Sequence, residues 1–287
     1  MTLPPNASPN AAQLEYWNNS AGPTWARHHD QLDRHIAPLG AECLRRLAPA
    51  PGEQVLDVGC GCGHTTSDIA ERVGVAGGVV GVDISVPMLE VARARSAPRA
   101  GGRMEFREAD AQTADLGQGR FDAAYSRFGV MFFADPVAAF GNIRKALTVG
   151  GRLGFVCWRP LAANPWLSEP LEAARPFLPP LPPPDPLAPG PFAFADERRV
   201  RAILDDAHFA DVDVRGFDAE IGVGGLAESL ALTLQVGPLG AALRENPSCK
   251  DVLAEPVRAV LSRYLTPRGV LMPAAVWIVL ARNPGSR

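Results

Sequence analysis

Between Asp57 and Thr66 the chain reads Asp-Val-Gly-Cys-Gly-Cys-Gly-His-Thr-Thr, with glycine at 59, 61 and 63. Glycines at this density let the backbone take positive φ and let a ligand approach without a Cβ in the way. An apolar run, 55–58, precedes them and a helix-like pattern follows. The loop is therefore expected to join a buried strand to a helix N-terminus, with its free N–H groups and positive dipole end. The chemistry this suits is a nucleotide or nucleoside cradle at the carboxyl end of a strand. Two more carboxylates extend it. Asp83 closes the next apolar run about 20 residues beyond Gly63, where an acid accepts ribose hydroxyls. Asp110, within Ala109-Asp110-Ala111, ends a third strand-like run and suits an adenine amino group. Cys60 and Cys62 fill the variable positions of the loop; a metal pair is the rarer reading there, and small loop-filling side chains the simpler one.

Positioning these groups requires a sheet. Strand patterns fall at 55–58, 79–82, 104–108, 121–126 and 152–158, and helix patterns at 65–73, 87–96 and 137–147. Such alternation predicts a parallel sheet with right-handed crossovers. Ahead of it, residues 1–10 are expected to be disordered. A helix over 15–39 aligns Trp25, His29, Leu32, Ile36 and Leu39 on one face; Pro38 and Gly40 then break it before a second helix at 41–47. Beyond the fifth strand, prolines from Pro176 to Pro191 preclude regular structure, so 159–195 reads as a surface insertion. Asp196 caps a helix to 207, and strands follow at 212–221 and 275–280. A second insertion, 222–272, carries helical segments near 226–236 and 249–264. Residues 49–287 are thus expected to be one domain with two insertions.

Composition narrows the partners. The 287 residues are 47% apolar and 21% charged, with net charge −3 and a pI of about 6.0. No basic footprint suggests a nucleic-acid partner. The five cysteines are scattered, without a CxxC pair or a secretory signal, and read as reduced thiols of a cytoplasmic protein. The longest apolar run, 270–281, contains Pro273 and is too short to span a bilayer, so no membrane partner is expected.

Three observations separate a nicotinamide dinucleotide from S-adenosylmethionine. The dinucleotide fingerprint requires glycine at 64, where His64 stands. Asp110 suits an adenine amino group. No Tyr-x-x-x-Lys follows, since Gly129 stands four residues after Tyr125. The chain resembles the class I S-adenosylmethionine-dependent methyltransferases, nearest the ubiquinone/menaquinone C-methylase-like branch. The likeness lies in Val55–Gly63, Gly81-Val82-Asp83-Ile84-Ser85, Ala109-Asp110-Ala111 and Phe121-Asp122-Ala123-Ala124-Tyr125-Ser126, and covers about 50–160. Val149, before Gly150-Gly151, replaces the proline usual in the family's turn ahead of strand five.

The resemblance implies a Rossmann-like α/β fold, a seven-stranded, mostly parallel sheet with the last strand antiparallel and helices on both faces. It implies a helical lid over 1–48. Carried over by residue, Gly59, Cys60, Gly61 and Gly63 pass the methionine part and ribose, and Asp57 orients the loop and reaches the methionine amino group. Asp83 holds the ribose hydroxyls, Ile84 packs on adenine, Asp110 and the Ala111 N–H meet its amino edge, and Ser126 faces the methionine end.

The expected activity is methyl transfer to a small, largely apolar metabolite. Arg127 and Phe128, just past strand four, are the expected substrate contacts. His28 and His29 are the candidate bases, weighed against packing on an apolar face. The insertions would roof the acceptor pocket, or serve as added core or a dimer surface. A non-methylating enzyme using the same cofactor and a non-catalytic S-adenosylmethionine-binding module are the competing readings.

Overall fold

The computed structural model describes residues 9–96, 101–180 and 185–285. Alternating strands and helices build one seven-stranded sheet. In chain order its strands are β1 (Gln54–Val58), β2 (Gly78–Asp83), β3 (Arg103–Glu108), β4 (Phe121–Arg127), β5 (Leu147–Trp158), β6 (Ala210–Ile221) and, after a small hairpin of β7 (Leu265–Thr266) and β8 (Gly269–Val270), β9 (Met272–Arg282). Their spatial order is β3-β2-β1-β4-β5-β9-β6. The first five pair in parallel, and β9 runs antiparallel between β5 and β6. The expected Rossmann-like sheet is therefore present, with the late strand inverted. Val58 is level with Val82 and Asp57 with Tyr125, so the carboxyl ends of β1, β2 and β4 open on one edge.

The N-terminal region departs from expectation. Residues 1–8 lie outside the described residues, but Asn10 is buried. Helix α1 (Ala11–Glu15) passes through a π-helical turn, Tyr16–Ser20, into α2 (Ala21–Arg27), and α3 runs unbroken from His29 to Leu47. The expected break at Pro38 and Gly40 does not occur. A proline inside a helix costs about 3 kcal/mol. Helix α3 buries Leu32, Ile36, Leu39, Cys43, Leu44 and Leu47 along one stripe, and each such aliphatic side chain returns roughly 1.5–3 kcal/mol. Gly40 is where α3 crosses β4: a Cβ there would come within 2.9 Å of the Tyr125 hydroxyl, which donates to the Gly40 carbonyl at 3.2 Å.

Helices α4 (His64–Val73), α5 (Val86–Arg95), α6 (Pro136–Ala146) and α8 (Glu197–Asp206) complete the sheet layers. Asp196 caps α8 by accepting from the Arg198 N–H at 2.9 Å, as its position predicted. Val149, the residue in place of the usual proline, is exposed beside Gly150, which takes a φ of 79°.

The two insertions come together. The first holds α7 (Pro165–Ala174), a regular helix that ends ahead of Pro176. The second holds α9 (Leu226–Thr233), α10 (Gly237–Glu245) and α11 (Lys250–Ser262). Leu171, Leu230, Leu243, Leu253 and Val257 from these helices share an apolar cluster separate from that of the sheet. Among the described residues no single helix is long and apolar enough to cross a membrane; the bent pair α9–α10 passes by length and composition, and its Leu230, Leu239 and Leu243 are buried in this cluster.

Candidate functional site

The glycine loop is shaped by backbone contact. Gly59 N–H and Cys60 N–H both donate to the Val82 carbonyl, at 2.8 and 3.1 Å, tying the loop to β2. Gly59 has a φ of 68°, and a Cβ there would meet the Gly129 Cα at 2.8 Å, so only glycine lets these strand ends close up. Gly63, also left-handed, caps α4.

Asp57 lies beneath the loop. One carboxylate oxygen accepts from the Thr65 and Thr66 hydroxyls at 2.8 and 2.7 Å, which pins the start of α4 to β1. The other oxygen, Oδ1, is buried without a hydrogen-bond partner among the described residues. Burial pushes this carboxyl up to about 6, against the pull of the two hydroxyls and the Arg127 charge. Asp83 is aimed by backbone: its two oxygens accept from the Gly61 and Ser85 N–H groups, each at 2.8 Å. Burial raises its carboxyl, and these N–H groups oppose the rise.

Above the loop lies a cavity of about 370 Å³, within the range of small-molecule sites. Of the residues expected to hold the cofactor, Gly59, Asp83, Ile84, Asp110 and Ala111 line it, as do the expected substrate contacts Arg127 and Phe128. Asp57, Cys60, Gly61, Gly63 and Ser126 stand behind that surface. Ser126 is fully buried and accepts from the Gly129 N–H at 3.3 Å, so it shapes the loop after β4. Burial pushes the Cys60 thiol well up and that of Cys62 up to about 12, which keeps both protonated as packing groups.

The candidate bases are elsewhere. Neither His28 nor His29 borders the cavity. His28 pairs with Gln31 at 3.1 Å. His29 contacts His64 Nε2 at 3.2 Å, in a cluster where one ligand atom each of His29, Asp30 and His64 lies within 4.8 Å of the others. Arg95 brings a guanidinium into that cluster, donating to Asp30 at 2.9 Å and lying 3.0 Å from His64 Nδ1. The helix that carries these histidines turns a different one inward: His35, a full turn and more beyond His29 and buried, borders the cavity. The face drawn through Trp25 and His29 assumed one continuous helix from 15, and the interruption at His28 resets the phase.

Phe128 carries local strain. Its φ is 63°, uncommon for a bulky residue. That conformation lays its ring flat on Trp158, centroids 4.1 Å apart and planes 9° from parallel. Arg127 bonds Asp33 of α3 at 2.6 Å. Asn10, in the stretch expected to be disordered, donates to both Asp110 oxygens at 3.0 and 2.9 Å and roofs that corner of the cavity. Gln13, Tyr16 and Trp17 of the same segment also border the cavity, and Arg244 of α10 reaches Tyr16 Oη at 3.2 Å, linking cap to N-terminus. No spacing in the sequence links these residues to the loop, because they arrive from separate segments.

The strand order with β9 inverted is that of a Rossmann-like α/β domain of the methyltransferase type. The family model described as a methyltransferase domain matches residues 55–151. The chain is 34% identical over 139 residues to an O-methyltransferase of Pyrenophora dematioidea, covering 48% of this chain and 49% of that protein. It spans about half the length of the curated relatives it matches. Among solved structures, a Haemonchus contortus phosphoethanolamine N-methyltransferase 2 superposes with a TM-score of 0.60 at 19% identity, over 99% of this chain and 62% of that one. A [4+2]-cyclase superposes with a TM-score of 0.51 at 19% identity, over 87% and 81%. Residues 55–151 thus match a methyltransferase domain, and the fold is that of S-adenosylmethionine-dependent methyltransferases.

The residues present fit S-adenosylmethionine. A glycine loop that no side chain could replace leaves backbone to lie along a ligand, and one carboxylate fixed by two N–H groups retains lone pairs for two hydroxyls.

Proposed function

We propose that this protein transfers the methyl group of S-adenosylmethionine to a small, largely apolar acceptor. One observation carries the reading. A single cavity is lined both by Gly59, Asp83 and Asp110 and by the aromatic rings of Phe128, Trp158 and Trp166. The first set matches the donor's ribose and adenine, giving a donor end, and the second an apolar ligand, giving an acceptor end. Asp83 would hold the ribose hydroxyls, Ile84 the adenine face, Asp110 the adenine amino group, and the Gly59 backbone the methionine part; Asp57 would act by fixing the loop. When bound, the donor supplies a methyl group already made electrophilic by its sulfonium. The protein's part is then to align a nucleophile behind that methyl group and to exclude water.

Residues 1–48 serve as the lid in this reading and 49–287 as the domain, with the insertions 159–195 and 222–272 as the cap. Arg127, bonded to Asp33, and Phe128, stacked on Trp158, shape the boundary between the two ends.

The test is stoichiometric formation of S-adenosylhomocysteine from S-adenosylmethionine with a panel of small aromatic and aliphatic acceptors. Cofactor binding without any such product would overturn methyl transfer. It would favour a non-methylating enzyme, a use of this fold that the cyclase's structure makes concrete. Binding with neither product nor another change in any acceptor would leave a binding module.

A further inference from the structure

Two buried polar groups border the aromatic part of the cavity without well-formed hydrogen bonds, the His35 ring and the N–H of half-buried Trp166. His35 is 8% exposed, and neither ring nitrogen makes a well-formed hydrogen bond among the described residues, although the Gly222 carbonyl lies close enough to favour a ring N–H facing it. Trp166 Nε1 is likewise buried and unpartnered. The two rings touch edge to face, centroids 4.8 Å apart, and both border the cavity. Buried polar atoms without partners cost about 1–3 kcal/mol each, so a native site that keeps several adjacent ones is built to be completed by something else.

We propose that His35 and Trp166 form the recognition site for a hydroxyl group on a planar aromatic acceptor, with His35 taking the hydroxyl proton. This rests on the methyltransferase reading above and adds the acceptor atom, oxygen.

The donor and acceptor inventory selects the group. An indole N–H only donates, and a neutral imidazole offers one accepting nitrogen. A hydroxyl satisfies both, donating to the imidazole while its oxygen accepts from the indole. With the imidazole N–H favoured towards the Gly222 carbonyl, the nitrogen that remains is an acceptor, which a ketone or ether does not meet, and an ammonium has no lone pair for the indole. Burial holds His35 down to about 4, so the ring is neutral and accepting at physiological pH. Both residues also border a second cavity of about 20 Å³ beside Ser229 and Thr233, room for one water, which would serve the other ring nitrogen. The planar part follows from the neighbours. Phe128 stacks on Trp158, and Trp158 lies 5.2 Å from Trp166, a run of π-faces from the end of β4 to His35.

In the step assigned to this pair the acceptor's O–H bond breaks and the oxygen keeps its electron pair. That oxygen forms the new O–CH₃ bond with the methyl of a sulfonium donor, and the pair of the broken S–CH₃ bond stays on sulfur. The proton passes to His35 and then to solvent. Burial disfavours a charged imidazole, so His35 passes the proton on and does not hold it, and the donor's positive charge leaves the cavity with that proton.

The probe pair is 2-naphthol and 2-methylnaphthalene, alike in shape and different in one hydroxyl. Equilibrium dialysis against wild type, His35→Phe, His35→Gln and Trp166→Phe gives the affinity ratio of the two probes for each protein. The expected result is a ratio lower than wild type by about 3–10-fold in His35→Phe and in Trp166→Phe, the loss of one hydrogen bond. His35→Gln, which keeps an acceptor, should recover part of it. A ratio within twofold of wild type in both Phe variants, or no binding of 2-naphthol to wild type, overturns the proposal. Calorimetry with S-adenosylhomocysteine is run on the same proteins. Unchanged affinity in His35→Phe shows that the donor end is intact. No binding to wild type would overturn the methyltransferase reading and the proton transfer, while the naphthol ratio would still decide the hydroxyl site.

Discussion

Asp83 is the residue on which the proposed donor end turns. Its carboxylate is held by the Gly61 and Ser85 N–H groups before any ligand arrives, so its alignment costs nothing at binding. Each hydrogen bond to a charged group contributes about 1.5–3 kcal/mol, and Asp83→Ala would remove two such bonds. The expected outcome is at least about 100-fold weaker S-adenosylhomocysteine binding by calorimetry, with the fold retained by circular dichroism; unchanged affinity would remove Asp83 from the site. His35 makes a second prediction, in pH. Its imidazole takes up a proton below the ordinary 6.5 when unfolded but only below about 4 when folded. The unfolded chain therefore binds more protons in that window, and stability falls as pH drops from 6.5 towards 4. Asp57 acts in the opposite sense, since its raised carboxyl costs stability as pH climbs from 3.8 towards about 6. Urea unfolding of His35→Phe at pH 7 and pH 5 should show a smaller acid-side loss than wild type. An equal loss would mean that His35 does not titrate on unfolding.

Helix α3 is the element that joins scaffold to site. It lies on the sheet through its aliphatic stripe, meets β4 at Gly40, bonds Arg127 through Asp33 and carries His35 into the cavity. At Gly40 two effects compete. Alanine gains up to about 1 kcal/mol of helix propensity, but overpacking a filled contact costs roughly 1–3 kcal/mol. The buried, hydrogen-bonded Tyr125 hydroxyl has little room to retreat, so packing wins. Gly40→Ala should lower the denaturation midpoint, and a raised one would show that β4 can yield. The N-terminal segment offers a separate test. Asn10 bonds Asp110 and accepts from the Ala134 N–H at 2.8 Å, holding the segment over the adenine corner. Asn10→Ala should weaken S-adenosylhomocysteine binding about 3–10-fold, the worth of one such contact, through faster dissociation in stopped flow. A dissociation rate equal to wild type would show that this segment does not retain the ligand.

At the scale of the whole molecule, the sheet and the cap have distinct apolar clusters with the cavity between them. The helices α7 and α9–α11 carry Trp166 and Arg244, which border the cavity, and in the proposed function they shape its acceptor end. Leu253 is fully buried at its centre. Leu253→Ala should cost about 2–5 kcal/mol locally. Hydrogen exchange should then quicken across α9–α11 more than across β1–β5, because the clusters are separate. Uniform quickening would instead make cap and sheet one cooperative unit.

The sequence by itself determined the strand–loop–helix frame and its strand-end carboxylates. Strand, glycine loop, helix, Asp83 and Asp110 are local or follow at fixed intervals, since each βα unit places its acid at a strand end whatever the rest of the chain does. The inverted late strand came from the family resemblance, since the residues placed a strand at 275–280 without its direction. The aromatic part of the cavity, the proposed acceptor site, was decided only by tertiary structure. His35, Trp166, Trp158 and Asn10 lie far apart in sequence and share no period with the loop. His28 and His29 drew attention because a helix face was projected through a break that packing placed at His28. Whether Pro38 ended α3, and which histidine faced the cavity, depended on how much apolar surface the helix could bury on the sheet, a quantity that exists only once both have folded.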